Sequence, residues 1–332
     1  MTSSIQRIDI HAHVLEESTM SLLSGLSPRV APRLEWVDDT TTLVIDDFRY
    51  PLFPRGGWDL ERRIEDMDRT GVSRQVLSIP PFTFFYDQDP RLVAETAQIQ
   101  NNRIAEILKL HSDRFLGFAT VPLQSPALAS AELERAMGLG LHGVEICTNV
   151  AGRNLDEPEL DEFWSRAESL GAPILLHPHN VAAMDRLGKY YLNNLIGNPL
   201  DTTIAIASLI FGGVLDRFPL LKLCFVHGGG YFPYQWGRLE HGYHVRTEPH
   251  LHSARAPREY LDRFAFDTIT HSAGALEYLI RTFGSNRVLL GTDYPFDMGF
   301  ENPLPIVQSL SSITDEEKDS ILGGNAARLI GA

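Results

Sequence analysis

The feature that most constrains this chain is an alternation. Short apolar or β-branched runs recur along it, and helical patterns lie between them. The runs are RIDIHAH (7–13), RQVLSIP (74–80), FLGFATVPL (115–123), GVEICTN (143–149), APILLHP (172–178), LKLCFVH (221–227), FAFDT (264–268) and RVLLGTD (287–293). The stretch 58–71 sets Leu60, Ile64 and Met67 at helical spacing and ends on glycine. Residues 89–114, 125–140, 155–171, 200–219 and 272–284 read in the same way. The last such segment, 314–330, opens on Thr314 with Glu317 three residues later, a capping box. Strand–helix units in this number predict an α/β fold, a TIM-like (β/α)8 barrel, with a doubly wound sheet as the alternative. At 332 residues the chain, 1–332, suits one domain of this kind. Residues 15–56 break the alternation and are too long for an ordinary barrel loop. RLEWV and TTLVI within them predict a hairpin, inserted after the first strand on the catalytic side.

Composition narrows the partners. Lys plus Arg number 29 against 43 Asp plus Glu, a formal charge of −14. Such a surface repels phosphate backbones and argues against a nucleic-acid partner. An anionic substrate therefore requires a locally basic pocket. Two cysteines, Cys147 and Cys224, cannot build a disulfide framework and sit in core-like runs. No apolar run approaches bilayer-spanning length, and the opening residues read as strand rather than leader, so the expected compartment is the cytoplasm, without membrane association.

The chemistry gathers at strand ends. Side chains alternate along a strand, so Asp9, His11 and His13 are expected on one face and Ile8, Ile10 and Ala12 on the other. Imidazoles two residues apart stand ~6.5 Å apart along the strand, close enough to converge on one ion. His177, His227 and Asp293 end the fifth, sixth and eighth runs. Barrel strands converge on the active site at their C-terminal ends, so this set is hard to read as scattered histidines. Three histidines and an aspartate suit Zn²⁺ or another divalent ion, Mn²⁺ included, with a position left open. The fourth run has no lysine to bridge a second ion; it has Glu145, expected to face inward with Cys147 and Asn149. Arg49 and Arg238 are candidates for gripping a carboxylate. The glycines 228–230 lack a phosphate-loop pattern and are expected to let the backbone pass close to a ligand.

RIDIHAH, DDFRYP, RIEDMDRTGV, ILLHPHN, HGGGYFPYQWGR, GTDYPF and GNAARL, in this order over nearly the whole chain, resemble the amidohydrolase-2 group. They are most similar to its 2-amino-3-carboxymuconate-6-semialdehyde decarboxylases. The resemblance implies a metal-dependent hydrolase barrel with one zinc held by His11, His13, His177 and Asp293. It implies His227 as the acid/base, Arg49 as the grip on the substrate carboxylate and Phe296 as pocket lining. Arg238 matches an arginine that reaches the neighbouring subunit's site, which implies a homodimer. Two departures fall on the substrate side: His179 where the family enzyme has an aromatic residue, and no lysine in the insertion. The implied activity is non-oxidative decarboxylation of an unsaturated or aromatic carboxylate. A hydrolase or hydratase of a ring-cleavage product, and a hydroxybenzoate-type decarboxylase, are the alternatives.

Overall fold

The structure, a computed structural model, describes residues 6–37 and 40–332. Its strands in chain order are β1 (Ile8–His13), β2 (Arg33–Val37), β3 (Thr40–Ile45), β4 (Phe48–Tyr50), β5 (Arg74–Ser78) and β6 (Phe115–Gly117). There follow β7 (Val144–Cys147), β8 (Pro173–His177), β9 (Lys222–Phe225), β10 (Phe264–Asp267) and β11 (Val288–Leu289). β1, β5 and β6 form one parallel arc, and β7 to β11 form another in sequence order. Parallel bridges from Ala119 to Val144 and from Ala12 to Tyr294 join the arcs at both seams. Backbone bonds strengthen the second seam, with Asp293 N on His11 O at 2.8 Å and His13 N on Tyr294 O at 2.7 Å. The strand order is that of a (β/α)8 barrel, with β6 and β11 shorter than their apolar runs suggested.

These strands read as near-continuous apolar runs because they are buried on both faces. Inside, Ile8, Ile10, Val76, Leu116, Phe118, Leu175, Cys224 and Leu289 pack together, and Ala326 and Ile330 of the helix Asn325–Ile330 join them. Outside, a larger cluster that includes Phe163, Trp164, Phe225, Phe266 and Phe283 fills the layer between strands and helices. Each such side chain contributes about 1.5–3 kcal/mol through burial. Both cysteines are buried and free.

The helices Leu60–Thr70, Pro90–Leu110, Pro126–Gly138 and Ala273–Phe283 lie where the periodicity placed them. The stretch 155–171 opens with a 3-10 turn over Pro158–Leu160, becomes α-helical at Asp161 and ends on Gly171 in the left-handed region. The stretch 200–219 divides at Gly212–Gly213 into Asn198–Phe211 and Val214–Arg217. A helix over Phe232–Val245 was not anticipated. Among the described residues no helix is long and apolar enough to cross a membrane.

The insertion has its own fold. β2 and β3 pair antiparallel, with Trp36 opposite Thr41, which is the expected hairpin. β4 adds a third strand and sets Arg49 opposite Val44. Leu15, Met20, Leu43 and Phe53 form a small core beneath, and Phe296 packs against it. The insertion thus docks on the loop that carries Asp293.

One expectation fails in β1. Its register against β5 slips between Asp9 and Ala12, so one extra residue sits in β1. A bulge of this kind interrupts strict alternation. Ile8 and Ile10 therefore pack inside the barrel, below the histidines. Asp9 does not share the histidine face. Its carboxylate instead accepts from Gln75 Nε2 at 3.0 Å and from Thr292 Oγ1 at 2.6 Å.

Arg63 ties this end of the barrel together. It is fully buried. Its guanidinium donates to Gly56 O at 3.1 Å, to Gln75 Oε1 at 3.0 Å and to the His13 carbonyl, and it lies 4.7 Å from the Tyr294 ring centre. Burial pushes its pKa down to about 10, which still leaves it charged at neutral pH. Replacing it orphans three buried acceptors at once. Arg63→Met is expected to cost about 2–4 kcal/mol in urea unfolding at fixed metal concentration; a loss below 1 kcal/mol would show that water replaces these bonds.

Candidate metal centre and cavity

His11 and His13 end β1, and His177 ends β8. Asp293 follows β11 in a turn that closes through Phe296 N on Asp293 O at 3.0 Å. One donor atom from each of these four residues lies within 4.8 Å of all the others, and all four residues are buried. His11 Nε2 is 3.0 Å from His13 Nε2. Asp293 Oδ1 stands 3.1 Å from His13 Nε2, 3.3 Å from His11 Nε2 and 3.9 Å from His177 Nε2. Donors bound to one tetrahedral Zn²⁺ at about 2.0–2.1 Å are roughly 3.3 Å apart, so the spacing fits a single divalent ion.

The tautomers agree with this. His11 Nδ1 meets Asp267 Oδ2 at 2.8 Å, His13 Nδ1 meets Ile79 O at 3.1 Å and His177 Nδ1 meets Pro178 O at 2.9 Å. Carbonyl and carboxylate oxygens only accept here, so each Nδ1 carries the proton and each Nε2 presents its lone pair inward. His177 Nε2 and Asp293 Oδ1 are buried with no hydrogen-bond partner among the described residues, as donors awaiting a cation are.

The electrostatics point the same way. Burial resists ionisation of Asp293, but His11, His13 and His177 hold its carboxyl well below the usual range. Burial pushes His177 well below its ordinary value, so its lone pair is available at neutral pH. Burial also opposes charge on His11, yet the Asp293 and Asp267 carboxylates lift it well above the ordinary value. The cluster draws positive charge to one point, which a divalent cation satisfies.

Asp267, at the end of β10, was missed in the sequence although FAFDT obeys the same strand-end logic. Besides His11, its Oδ1 accepts from Gly228 N at 2.8 Å and Ile269 N at 3.1 Å. Burial opposes its ionisation, but His11 holds it below the ordinary value. One carboxylate thus fixes a metal-facing ring and the turn just after His227. That turn needs its glycines. Gly230 has φ +63°, and a Cβ there would lie 2.2 Å from the Pro199 carbonyl oxygen. The close passage expected here toward a ligand is, at Gly230, a passage against the chain's own backbone.

His227 Nε2 is 3.5 Å from Asp293 Oδ2, and its Nδ1 has no partner among the described residues. It lines a cavity of about 620 Å³ with Asn194, Asn198, Tyr231 and Met298. A neighbouring cavity of about 520 Å³ shares Asn194, Asn198 and Met298 and reaches His177 and Asp293. Arg49, Tyr50, Phe82, His179, Tyr191 and Phe296 line it. Phe296 lies 5.4 Å from the His13 ring and 5.7 Å from Tyr50, so the wall is aromatic and flat-sided. Arg49 stands exposed at the mouth, paired with Glu35. Burial pushes His179 down to about 4, so its ring is neutral. Glu145 is fully buried, and its Oε2 lies 3.8 Å from His13 Nδ1. It lies on the Nδ1 side of His13 and is not one of the four converging donors. Arg238 is exposed on the helix Phe232–Val245 and lines neither cavity.

The sequence profile of one family, described as Amidohydrolase, matches residues 8–332. The chain belongs to the amidohydrolase family. It is 36% identical over 328 residues to a 2-amino-3-carboxymuconate-6-semialdehyde decarboxylase of Dictyostelium discoideum, covering 98% of this chain and 91% of that one. Among solved structures it resembles the 5-carboxyvanillate decarboxylase of Sphingomonas paucimobilis, with TM-score 0.85, 26% identity and 99% of each chain covered. A dihydroxybenzoic acid decarboxylase of Polaromonas sp., solved with manganese and 2-nitroresorcinol, shares the fold at TM-score 0.78 and 24% identity, covering 99% of this chain and 97% of that one. The resemblance read in the motifs is therefore a family membership, and the barrel is this amidohydrolase's fold.

Asp267→Asn tests the anchoring of His11. The amide oxygen would stay with the two backbone N–H groups, and its NH₂ would face His11 Nδ1. That would move the ring proton to Nε2 and remove the inward lone pair. Metal affinity, read by chelator competition, is expected to fall by roughly 10–100-fold. Unchanged affinity would show that His11 is held by other means.

Proposed function

We propose that this amidohydrolase is a metal-dependent, non-oxidative decarboxylase of a conjugated carboxylate, either an unsaturated acid such as aminocarboxymuconate semialdehyde or an aromatic one. The observation that carries the reading is the convergence of three inward lone pairs and one carboxylate oxygen at the base of an aromatic-walled cavity with an arginine at its mouth. The similarity to decarboxylases over nearly the whole chain supports it. His11, His13, His177 and Asp293 would hold the ion, for which zinc is the proposal and manganese the second choice. When bound, the ion supplies positive charge and Lewis acidity at these four donors.

The protein's own groups do the rest. Arg49 would grip an anionic group of the substrate. Phe82, Phe296 and Tyr50 would hold the conjugated plane. When the bond to the carboxylate breaks, CO₂ leaves and the electron pair passes into the conjugated system. His227 Nε2 would then deliver a proton to the carbon that lost CO₂, so that one proton is consumed for each CO₂ released. No organic cofactor is needed, because the substrate itself delocalises the charge. We propose further that the chain acts as one barrel domain within a homodimer, with Arg238 reaching the partner's site. Its exposure and lack of an ion pair among the described residues leave it available for that.

The test is CO₂ detection. Protein stripped of metal and reloaded with Zn²⁺ or Mn²⁺ is offered aminomuconate-type and hydroxybenzoate-type acids. Release of CO₂ only with metal is expected. A hydrated or hydrolysed acid without CO₂ would favour a hydratase or hydrolase instead. His227→Ala is expected to retain its metal by elemental analysis and to lose about 10²–10⁴-fold in kcat; retained turnover would remove His227 from the chemistry. Arg49→Ala is expected to raise KM by roughly 10–100-fold, and an unchanged KM would place the anion elsewhere.

A further inference from the structure

His179 is a polar residue of the cavity wall to which the proposed reaction gives no task, as are Tyr191, Asn193, Asn194, Asn198 and Asp297. It follows His177 and Pro178 directly, so its backbone is fixed relative to the metal centre. Its carbonyl accepts from Asn149 Nδ2 at 2.9 Å, and the same Nδ2 reaches Asp201 Oδ2 at 2.9 Å. Asp201 is buried, accepts from Ala182 N at 3.1 Å through its other oxygen and also takes the Thr148 hydroxyl. This network clamps the loop 177–182 from behind. The imidazole, by contrast, has no hydrogen-bond partner among the described residues. It lines the cavity that holds Arg49 and Phe296, and also a small recess beside Tyr86 and Cys147.

A polar ring on a clamped backbone, unpartnered among the described residues and in a wall that also carries Phe48, Tyr50, Phe82 and Phe296, has an unmet hydrogen-bonding capacity. A site built in this way favours a ligand that completes the bond over an isostere that does not. Every protonation state and tautomer of imidazole carries at least one ring N–H, so a donor is always on offer, beside an acceptor nitrogen when the ring is neutral. We propose that His179 is a specificity-determining residue that donates a hydrogen bond to a neutral oxygen substituent of the substrate, a hydroxyl or a carbonyl, remote from the reacting carboxylate. This deepens the proposed function and rests on the cavity being a carboxylate site. The substrate class becomes a planar conjugated carboxylate bearing such an oxygen. Arg49 provides the charge recognition and His179 the neutral recognition.

The test reads binding rather than turnover, so it can fail separately from the decarboxylase proposal. Zn²⁺-loaded protein is titrated calorimetrically with the three positional isomers of hydroxybenzoate and of methylbenzoate, which differ by hydroxyl against methyl. For at least one position the wild-type protein is expected to bind the hydroxy acid about tenfold more tightly than its methyl counterpart. His179→Phe, which keeps an aromatic ring but no donor, is expected to reduce that ratio to within about twofold. His179→Gln, which keeps an N–H, is expected to restore part of it, and it provides the test if the phenylalanine variant does not fold. Metal content of each variant is measured alongside. A ratio unchanged by His179→Phe, a wild-type protein with no hydroxyl preference, or an equal loss for hydroxy and methyl acids would each overturn the proposal. If the ratio behaves as expected but no acid releases CO₂, the decarboxylase reading fails and the role of His179 stands.

Discussion

The site depends on one buried carboxylate. Asp267 takes the Nδ1 proton of His11 on one oxygen and two backbone N–H groups on the other, one of them just past His227. An ion-binding ring and the turn carrying the proposed acid/base are thereby referenced to the same strand end. The other histidines use backbone carbonyls for the same purpose. A metal ion would meet donors already aimed, with little side-chain freedom left to lose. The four-donor cluster is thus a property of the scaffold as well as of the four residues themselves.

The barrel divides its interior by height. Apolar side chains of β1, β5, β6, β8, β9, β10 and β11 fill the lower part, with Ala326 and Ile330 among them. Polar groups occupy the upper ends of β1, β8, β10 and the segment after β11. The bulge in β1 makes this division possible in a single strand, because Ile10 belongs to the packed interior and His11 to the site. The inserted sheet then supplies what the barrel lacks, a wall bearing Arg49 and Tyr50, and packs on Phe296. Arg63 and Tyr294 bind this loop region to the helix Leu60–Thr70, with Tyr294 donating to Asp66 Oδ2 at 2.8 Å.

Much of this was legible in the chain. Strands buried on both faces announce themselves as apolar runs, and His177, His227 and Asp293 mark where those runs end. The hairpin was visible because its alternating residues lie between turn-like stretches. Other features carried no local signal. A one-residue bulge leaves the composition of β1 unchanged, so Asp9 was assigned to the wrong face. Arg63 sits in an amphipathic helix where an arginine is expected in solvent, and only the tertiary fold brings three carbonyl-type acceptors around it. The helix Phe232–Val245 was hidden by Gly237, Gly242 and scattered aromatics, which blur the apolar period. Arg49 was found by motif, but its pairing with Glu35 depends on β2 and β4 flanking β3.

The central claim is that three Nε2 atoms and one aspartate oxygen form a single cation site. X-ray absorption spectroscopy of the protein loaded with one equivalent of Zn²⁺ tests it most directly. The account predicts about three imidazole nitrogens near 2.0–2.1 Å, with the remaining shell made of oxygen, and loss of one imidazole contribution in His177→Ala. A spectrum dominated by oxygen, or one that His177→Ala leaves unchanged, would contradict it.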